Sequence, residues 1–356
     1  MDWNLPRDDR VFDLTPITPA PLTLSTHSRA NNTMTFPRFP SQRLLSLGAA
    51  TLLATLSWGT AAWAGDPFRG NDNPSNISDQ TEDAFEAMFK EGDYPRAQQI
   101  IDRVRNDSDP LVPALQAALA YNLDGQIQDN NNYVERTRNA AQSLIDNAGS
   151  PQDELRGNLY LAAAAFMEGA YNFKADEDYV AAALKVQEVL GHLRQAERVE
   201  SEAGLTDPEL NLLKGYIELL LAVNLPLSNP NNAIANFKDK AAPKYLVDRG
   251  IAIAYRDLGN KAGNNDVGKA SEFYELAESH IDDVLGVAPN NPEIKYLKAQ
   301  ILHEWGKLSG QENKDMLEEA IELFEAALEE DEQLPIETPA QIRHELRIAQ
   351  AAIAQM

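Results

Sequence analysis

Asp207-Pro-Glu-Leu-Asn-Leu-Leu-Lys-Gly215 and Asn291-Pro-Glu-Ile-Lys-Tyr-Leu-Lys-Ala299 align position by position: a capping residue, Pro, Glu, then apolar residues at helical spacing ending on a small one. The cap's side-chain oxygen can satisfy an orphan amide of the first turn, and Pro supplies a helical φ while giving up an N–H that has no partner there. The same junction occurs at Ser150-Pro151, Asn229-Pro230 and Thr338-Pro339. Between the junctions apolar residues recur at three and four spacing, as in Phe85, Met88, Phe89, then Ala97, Ile100, Ile101, Val104, and again Leu184, Val186, Val189, Leu190, Leu193. No alternating strand pattern is found. The spacing predicts an all-α chain with helices near 79–90, 94–106, 111–123, 131–147, 151–173, 178–202, 208–223, 230–240, 244–258, 268–286 and 292–308, and two more at 314–331 and 339–355.

Short helices in series call for a search for internal repeats. Second helices read Ala97-x3-Ile101-x2-Val104, Ala233-x3-Phe237, Ala277-x3-Ile281-x2-Val284-x4-Pro289 and Ala320-x3-Phe324-x2-Ala327, with Gly92-Asp-Tyr94 at one turn and Ala254-Tyr255-x2-Leu258-Gly259 closing a first helix. On these residues the chain resembles the tetratricopeptide repeat family. The resemblance implies an α-solenoid of antiparallel helix pairs over residues 79–356, a superhelix with a concave groove. It is clearest at 79–110 and 243–332 and irregular in the middle, where the helices near 151–173 and 178–202 are longer than a standard repeat. Residues Lys261 to Glu272 and Leu308 to Met316 are expected to lengthen two turns. Stretches such as Arg156-Gly-Asn-Leu-Tyr-Leu161, Ala222-Val-Asn-Leu-Pro226 and Asp248-Arg-Gly-Ile-Ala-Ile-Ala-Tyr-Arg-Asp-Leu258 make the chain similar to exported tetratricopeptide-like proteins of cyanobacteria. That likeness implies a location and a fold, and it transfers no catalytic residue.

The N-terminus reads separately. Arg38 and Arg43 precede the apolar run from Leu44 to Ser57, and Ala62-Trp-Ala64 precedes Gly65. This is the order of basic region, apolar region and A-x-A site in a secretory signal peptide. Residues 34–64 are therefore expected to be that peptide, starting at Met34. The Pro-bearing stretch 1–33 is expected to be a non-native or disordered extension, and the Gly/Pro/Asn/Ser-rich stretch 65–78 a flexible leader. The apolar run is shorter than the about 20 residues that span a bilayer, so membrane contact is expected only during export, to a periplasm or a thylakoid lumen.

Of 356 residues, 31 are Lys or Arg and 55 are Asp or Glu, a net charge of −24. From residue 65 onward the count is 26 basic against 51 acidic, so the acidity belongs to the exported body. Such a charge repels phosphate backbones and anionic headgroups, which disfavours nucleic acid and membrane surfaces as partners. No Cys is present, which excludes disulfides and Cys-ligated zinc or iron–sulfur sites.

No cofactor, metal site or catalytic motif is expected. The five His have no ligand spacing, and His303-Glu304 and His344-Glu345 read as solvated helix-surface pairs. The run Glu329-Glu330-Asp331-Glu332 reads as a solvated helix end. One constellation stands out. Arg249 and Arg256 share a helix face with Ala252 and Ile253, and Tyr245 lies one turn upstream. In the repeat alignment this face lines the groove, where two guanidiniums would hold a partner's carboxylates. The competing reading is internal neutralisation by Asp248, Asp257 or neighbouring helices. The expected function is a non-catalytic scaffold that binds a protein partner through its groove, the alternative a helical periplasmic enzyme acting on a sugar or peptide. N-terminal sequencing of native protein should find Gly65 first, Ala64 having been the last residue of the signal. A full-length membrane-embedded form would overturn that expectation.

Overall fold

The computed structural model describes residues 66–70, 74–104, 108–124, 132–176, 179–224, 229–263, 265–308 and 313–356. The expected extension, the signal peptide and the Ala64–Gly65 junction lie outside the described residues. Among those described there are thirteen α-helices and no strand. Successive helices pack as hairpin pairs. The pairs are α1 (Asp79–Glu86, continued by a π-helical turn Ala87–Glu91) with α2 (Tyr94–Ile101), α3 (Leu111–Asp124) with α4 (Tyr133–Asp146), and α5 (Pro151–Asp176) with α6 (Tyr179–Ala203). They continue with α7 (Pro208–Asn224) and α8 (Pro230–Phe237), α9 (Lys244–Gly263) and α10 (Val267–Val287), and α11 (Pro292–Gly306) and α12 (Lys314–Leu328). A 3-10 turn, Asp331–Gln333, leads to α13 (Thr338–Ile353). Neighbouring first helices also touch, α7 to α9 and α9 to α11, so the arrangement is an α-solenoid.

The capping junctions start the helices by the chemistry their residues offer. Asn291 accepts from the amides of Glu293 and Ile294, Asn229 from Asn231, Asp207 from Leu210 and Ser150 from Asp153. At Thr338-Pro339 the helix begins one residue earlier than expected, at Thr338 itself, with Glu337 in the cap position. A further junction of the same kind, Asp109-Pro110, opens α3, where Asp109 accepts from the Leu111 amide at 2.9 Å.

Packing depends on small residues in the second helices. Ala97, Ala233, Ala277 and Ala320 are all fully buried, as are Ile101, Phe237, Ile281 and Phe324 one turn on. Phe237 sits between two first helices: a Cβ built on Gly215 of α7 or Gly250 of α9 would lie 2.5 Å from its ring, and Tyr216 meets it edge-on at 5.0 Å. One apolar core runs from Phe68 to Ile301, and a second unites α11, α12 and α13 around Phe324.

The first hairpin packs against helices two hundred residues later. Gly92 ends the π-helical turn at φ 72°, a left-handed conformation that favours glycine, and a Cβ there would lie 2.6 Å from Asn291 Oδ1. Asn291 in turn donates to the carbonyls of Lys90 and Phe89, at 3.0 and 3.4 Å. The amide of Ile336 donates to the carbonyl of Asn122 at 3.0 Å, tying the approach to α13 to the end of α3.

Three expectations need correction. The leader is docked from Asp66 on, with Asp66, Phe68, Arg69 and Ile77 buried. Asp66 folds the segment by accepting from the amides of Phe68, Arg69 and Ser75, and Phe68 packs edge-on to Phe85 at 5.2 Å. Two strong anchors thus outweigh a loop-like composition. Residues Lys261 to Gly263 and Val267 to Glu272 lengthen α9 and α10 themselves rather than the turn between them. Leu184, counted on an apolar face, is 60% exposed. The long middle helices are as expected, 26 residues in α5 and 25 in α6.

Overpacking at the Phe237 contact should be measurable. Gly215→Ala and Gly250→Ala should each cost about 1–3 kcal/mol in urea unfolding. Gly191→Ala, in open space on α6, should stabilise by about 0.4–1 kcal/mol, and equal effects at all three sites would refute the close-packed reading.

Candidate functional site

The three side chains expected to line an open groove are buried instead: Tyr245 is 5% exposed, Arg249 1% and Arg256 6%. Their partners come from the next first helix. Arg249 Nη2 donates to Glu293 Oε2 at 3.3 Å, while its Nε and Nη1 meet no protein acceptor. Arg256 Nη1 donates to Gln300 Oε1 at 2.6 Å, and its Nε lies 3.5 Å from Glu304. Neither Asp248 nor Asp257 does the neutralising. Asp248 faces Lys244 and His280, and Asp257 faces Lys261. From the first hairpin, Tyr94 reaches Glu293, burial and that carboxylate both holding its phenol protonated. The face read as a groove is therefore closed at Arg249 by Glu293 of α11 with Tyr94 of the first hairpin beside it, and at Arg256 by Gln300 and Glu304 of α11.

A second buried cluster joins the starts of α3, α5 and α7 to the docked N-terminal segment. Arg69 donates from Nε and Nη2 to Asp207 Oδ2 at 2.9 and 2.6 Å, from Nη2 to Glu209 Oε2 at 2.8 Å, and from Nη1 to Asp66 Oδ2 at 3.0 Å. Arg156 donates from Nε to Glu209 Oε2 at 2.8 Å and from Nη1 to Asp109 Oδ2 at 2.7 Å. The Tyr160 hydroxyl donates to Glu209 Oε1 at 2.6 Å. Each cap residue here does two jobs: one carboxylate oxygen of Asp109 or Asp207 closes its own helix start, and the other takes a guanidinium from elsewhere in the fold.

The two clusters are one device used twice. Arg156 and Arg249 are each the sixth residue of their helix, and each reaches forward to the Glu of a cap-Pro-Glu start, Glu209 of α7 and Glu293 of α11. Burial alone would raise the Glu209 carboxyl, yet Arg156 and Arg69 together hold it down at about 2. Asp207 moves the other way, because burial outweighs the help it receives from Arg69. Asp109, Arg156, Glu209 and Arg69 were not singled out from the sequence. Asp109-Pro110 carried the same cap-Pro signature as its neighbours, whereas nothing local marks Arg69.

The remaining chemistry-bearing residues are structural or exposed. His303 is buried against Phe324, its ring meeting that ring edge-on at 6.2 Å, and Glu345 is buried beside Gln300, which donates to it at 3.0 Å. Half of each dipeptide thus departs from the expected surface position. In the acidic run, Asp331 pairs with Arg343 at 3.1 Å, and Glu329, Glu330 and Glu332 are exposed. Among the described residues no cluster of three or more His, Asp or Glu is placed to hold a metal ion, and no helix is long and apolar enough to cross a membrane. No protein-family description, curated protein or solved structure matches the chain.

Removing one side of a buried pair strands the other. Arg249→Ala and Arg156→Ala should each cost about 3–5 kcal/mol in chemical denaturation, while Arg249→Met with Glu293→Leu should recover most of the loss. Because the folded pKa of Glu209 is depressed, its contribution is present above the ordinary glutamate range and is lost as pH falls toward about 2. Glu209→Gln should flatten that stretch of the stability–pH curve, and an unchanged acid limb would refute the assignment.

Proposed function

We propose that the chain is an exported, non-catalytic, tetratricopeptide-like scaffold that binds a protein partner in the periplasm or thylakoid lumen. The export reading is supported by the basic, apolar and A-x-A order of residues 34–64. The observation that carries the scaffold reading is the stacking of first helix on first helix. Arg249–Glu293, Arg256–Gln300 and Asn260–Glu304 join α9 to α11 at one offset of 44 residues, and Gln300–Glu345 joins α11 to α13 at 45. Helix pairs stacked in series form an extended surface, which suits recognition of another chain better than enclosure of a small substrate. The buried arginines and carboxylates are consumed in holding that register. With the starts of α7 and α11 covered by residues 66–94, we put the partner on the surface this contact leaves open.

Cross-linking followed by affinity capture from the exported fraction tests the reading. A stoichiometric protein partner with cross-links on consecutive helix pairs is the expected result. Turnover of a glycan or peptide by the purified protein, abolished by a single carboxylate substitution, would overturn it.

A further inference from the structure

α13 leaves uncovered a face that its counterpart α11 buries. The Gln300–Glu345 bond sets α13 in register with α11 at an offset of 45 residues. At that offset His344, Arg347 and Ala351 occupy the places of Ala299, Leu302 and Gly306. In α11 those three are buried under α12: Ala299 and Leu302 share a core with Ala320 and Phe324, and a Cβ on Gly306 would lie 3.2 Å from the Leu317 side chain. On α13 the same face is uncovered, with His344 and Arg347 exposed. Together with Lys307, at the end of α11, they border a shallow pocket of about 560 Å³ floored by Ile348, Ala351 and Ala352. Of the nearby charges, Glu304 accepts from Asn260, faces Arg256 and also interacts with Lys307, while Arg343 pairs with Asp331.

From residue 65 onward the chain carries 51 acidic against 26 Lys and Arg side chains, yet this pocket brings Lys307 and Arg347 together with His344 around Ile348, Ala351 and Ala352. Charge complementarity selects the occupant: an acidic segment seated here meets cations at the rim while the remaining protein surface repels it, which fixes where it docks. We propose that Lys307, His344 and Arg347 form the docking site for an acidic peptide segment of the partner protein, its apolar side chains resting on Ile348 and Ala351. The site deepens the scaffold reading and rests on it.

The test is fluorescence anisotropy on the whole mature chain with a short labelled Glu/Leu peptide, against a Lys/Leu peptide and free glutamate. Saturable binding of the Glu/Leu peptide is expected, weakening with salt. In Lys307→Glu with Arg347→Glu it should fall by about tenfold or more, with the melting temperature kept, while Arg343→Glu binds as the parent does. Equal binding by the double variant overturns the site. Displacement by free glutamate as effective as by peptide marks a small-anion pocket and also overturns it. So does self-association that the double variant loses, since the occupant is then a second copy. If the double variant still captures the cross-linked partner at parental yield, the docking site fails and the scaffold reading stands. If no protein partner is captured by the parent chain, the scaffold reading is what fails.

Discussion

A guanidinium buried between the starts of successive first helices is the contact on which the rest of this solenoid depends. Arg156 reaches back to the cap of α3 and forward to Glu209 of α7, and Arg249 reaches forward to Glu293 of α11. Taking such charges out of water costs about as much as their attraction returns, so the pairs contribute little net stability. What they contribute is register. An apolar ridge can slide along an apolar groove by a turn at modest cost, but a shift of one turn here would leave a buried carboxylate facing a hydrocarbon wall.

The same constraint accounts for the N-terminal segment. Asp207 and Glu209 bring two carboxylates into one buried place while Arg156 answers only one of them, and Arg69 supplies the missing cation. Residues 66–70 are therefore part of the core's charge balance, and Phe68 adds apolar contact with Phe85. Farther along, the α1/α2 hairpin meets α11 through Asn291 and Tyr94. Two pieces of the chain's beginning thus lie over the starts of its later first helices.

That arrangement explains why a groove reading of Arg249 and Arg256 was reasonable and still missed their place. Their seven-residue spacing puts them on one helix face, and the repeat alignment says which face. Whether that face meets solvent depends on α11, 44 residues downstream, and at Arg249 also on Tyr94 of the first hairpin, and no local pattern carries that information. The correction at the leader has the same origin. Gly, Pro and Asn describe a backbone that resists regular structure, as residues 66–70 and 74–78 show, but resistance to helix is compatible with tight docking once Arg69 has carboxylates to reach.

Secondary structure and its order were legible in the residues alone, because caps, Pro at the first turn and three-four apolar spacing act within a few residues of one another. All thirteen helices were legible that way, as was the small-residue pattern of the second helices, since Ala97, Ala233, Ala277 and Ala320 each satisfy a need of the adjacent hairpin partner. Which charges are buried and which caps take a second partner are outcomes of tertiary packing. Those outcomes depend on pairing across 44 residues at Arg249–Glu293 and across 138 at Arg69–Asp207, and electrostatic pairing at such separations leaves no periodic trace in the chain.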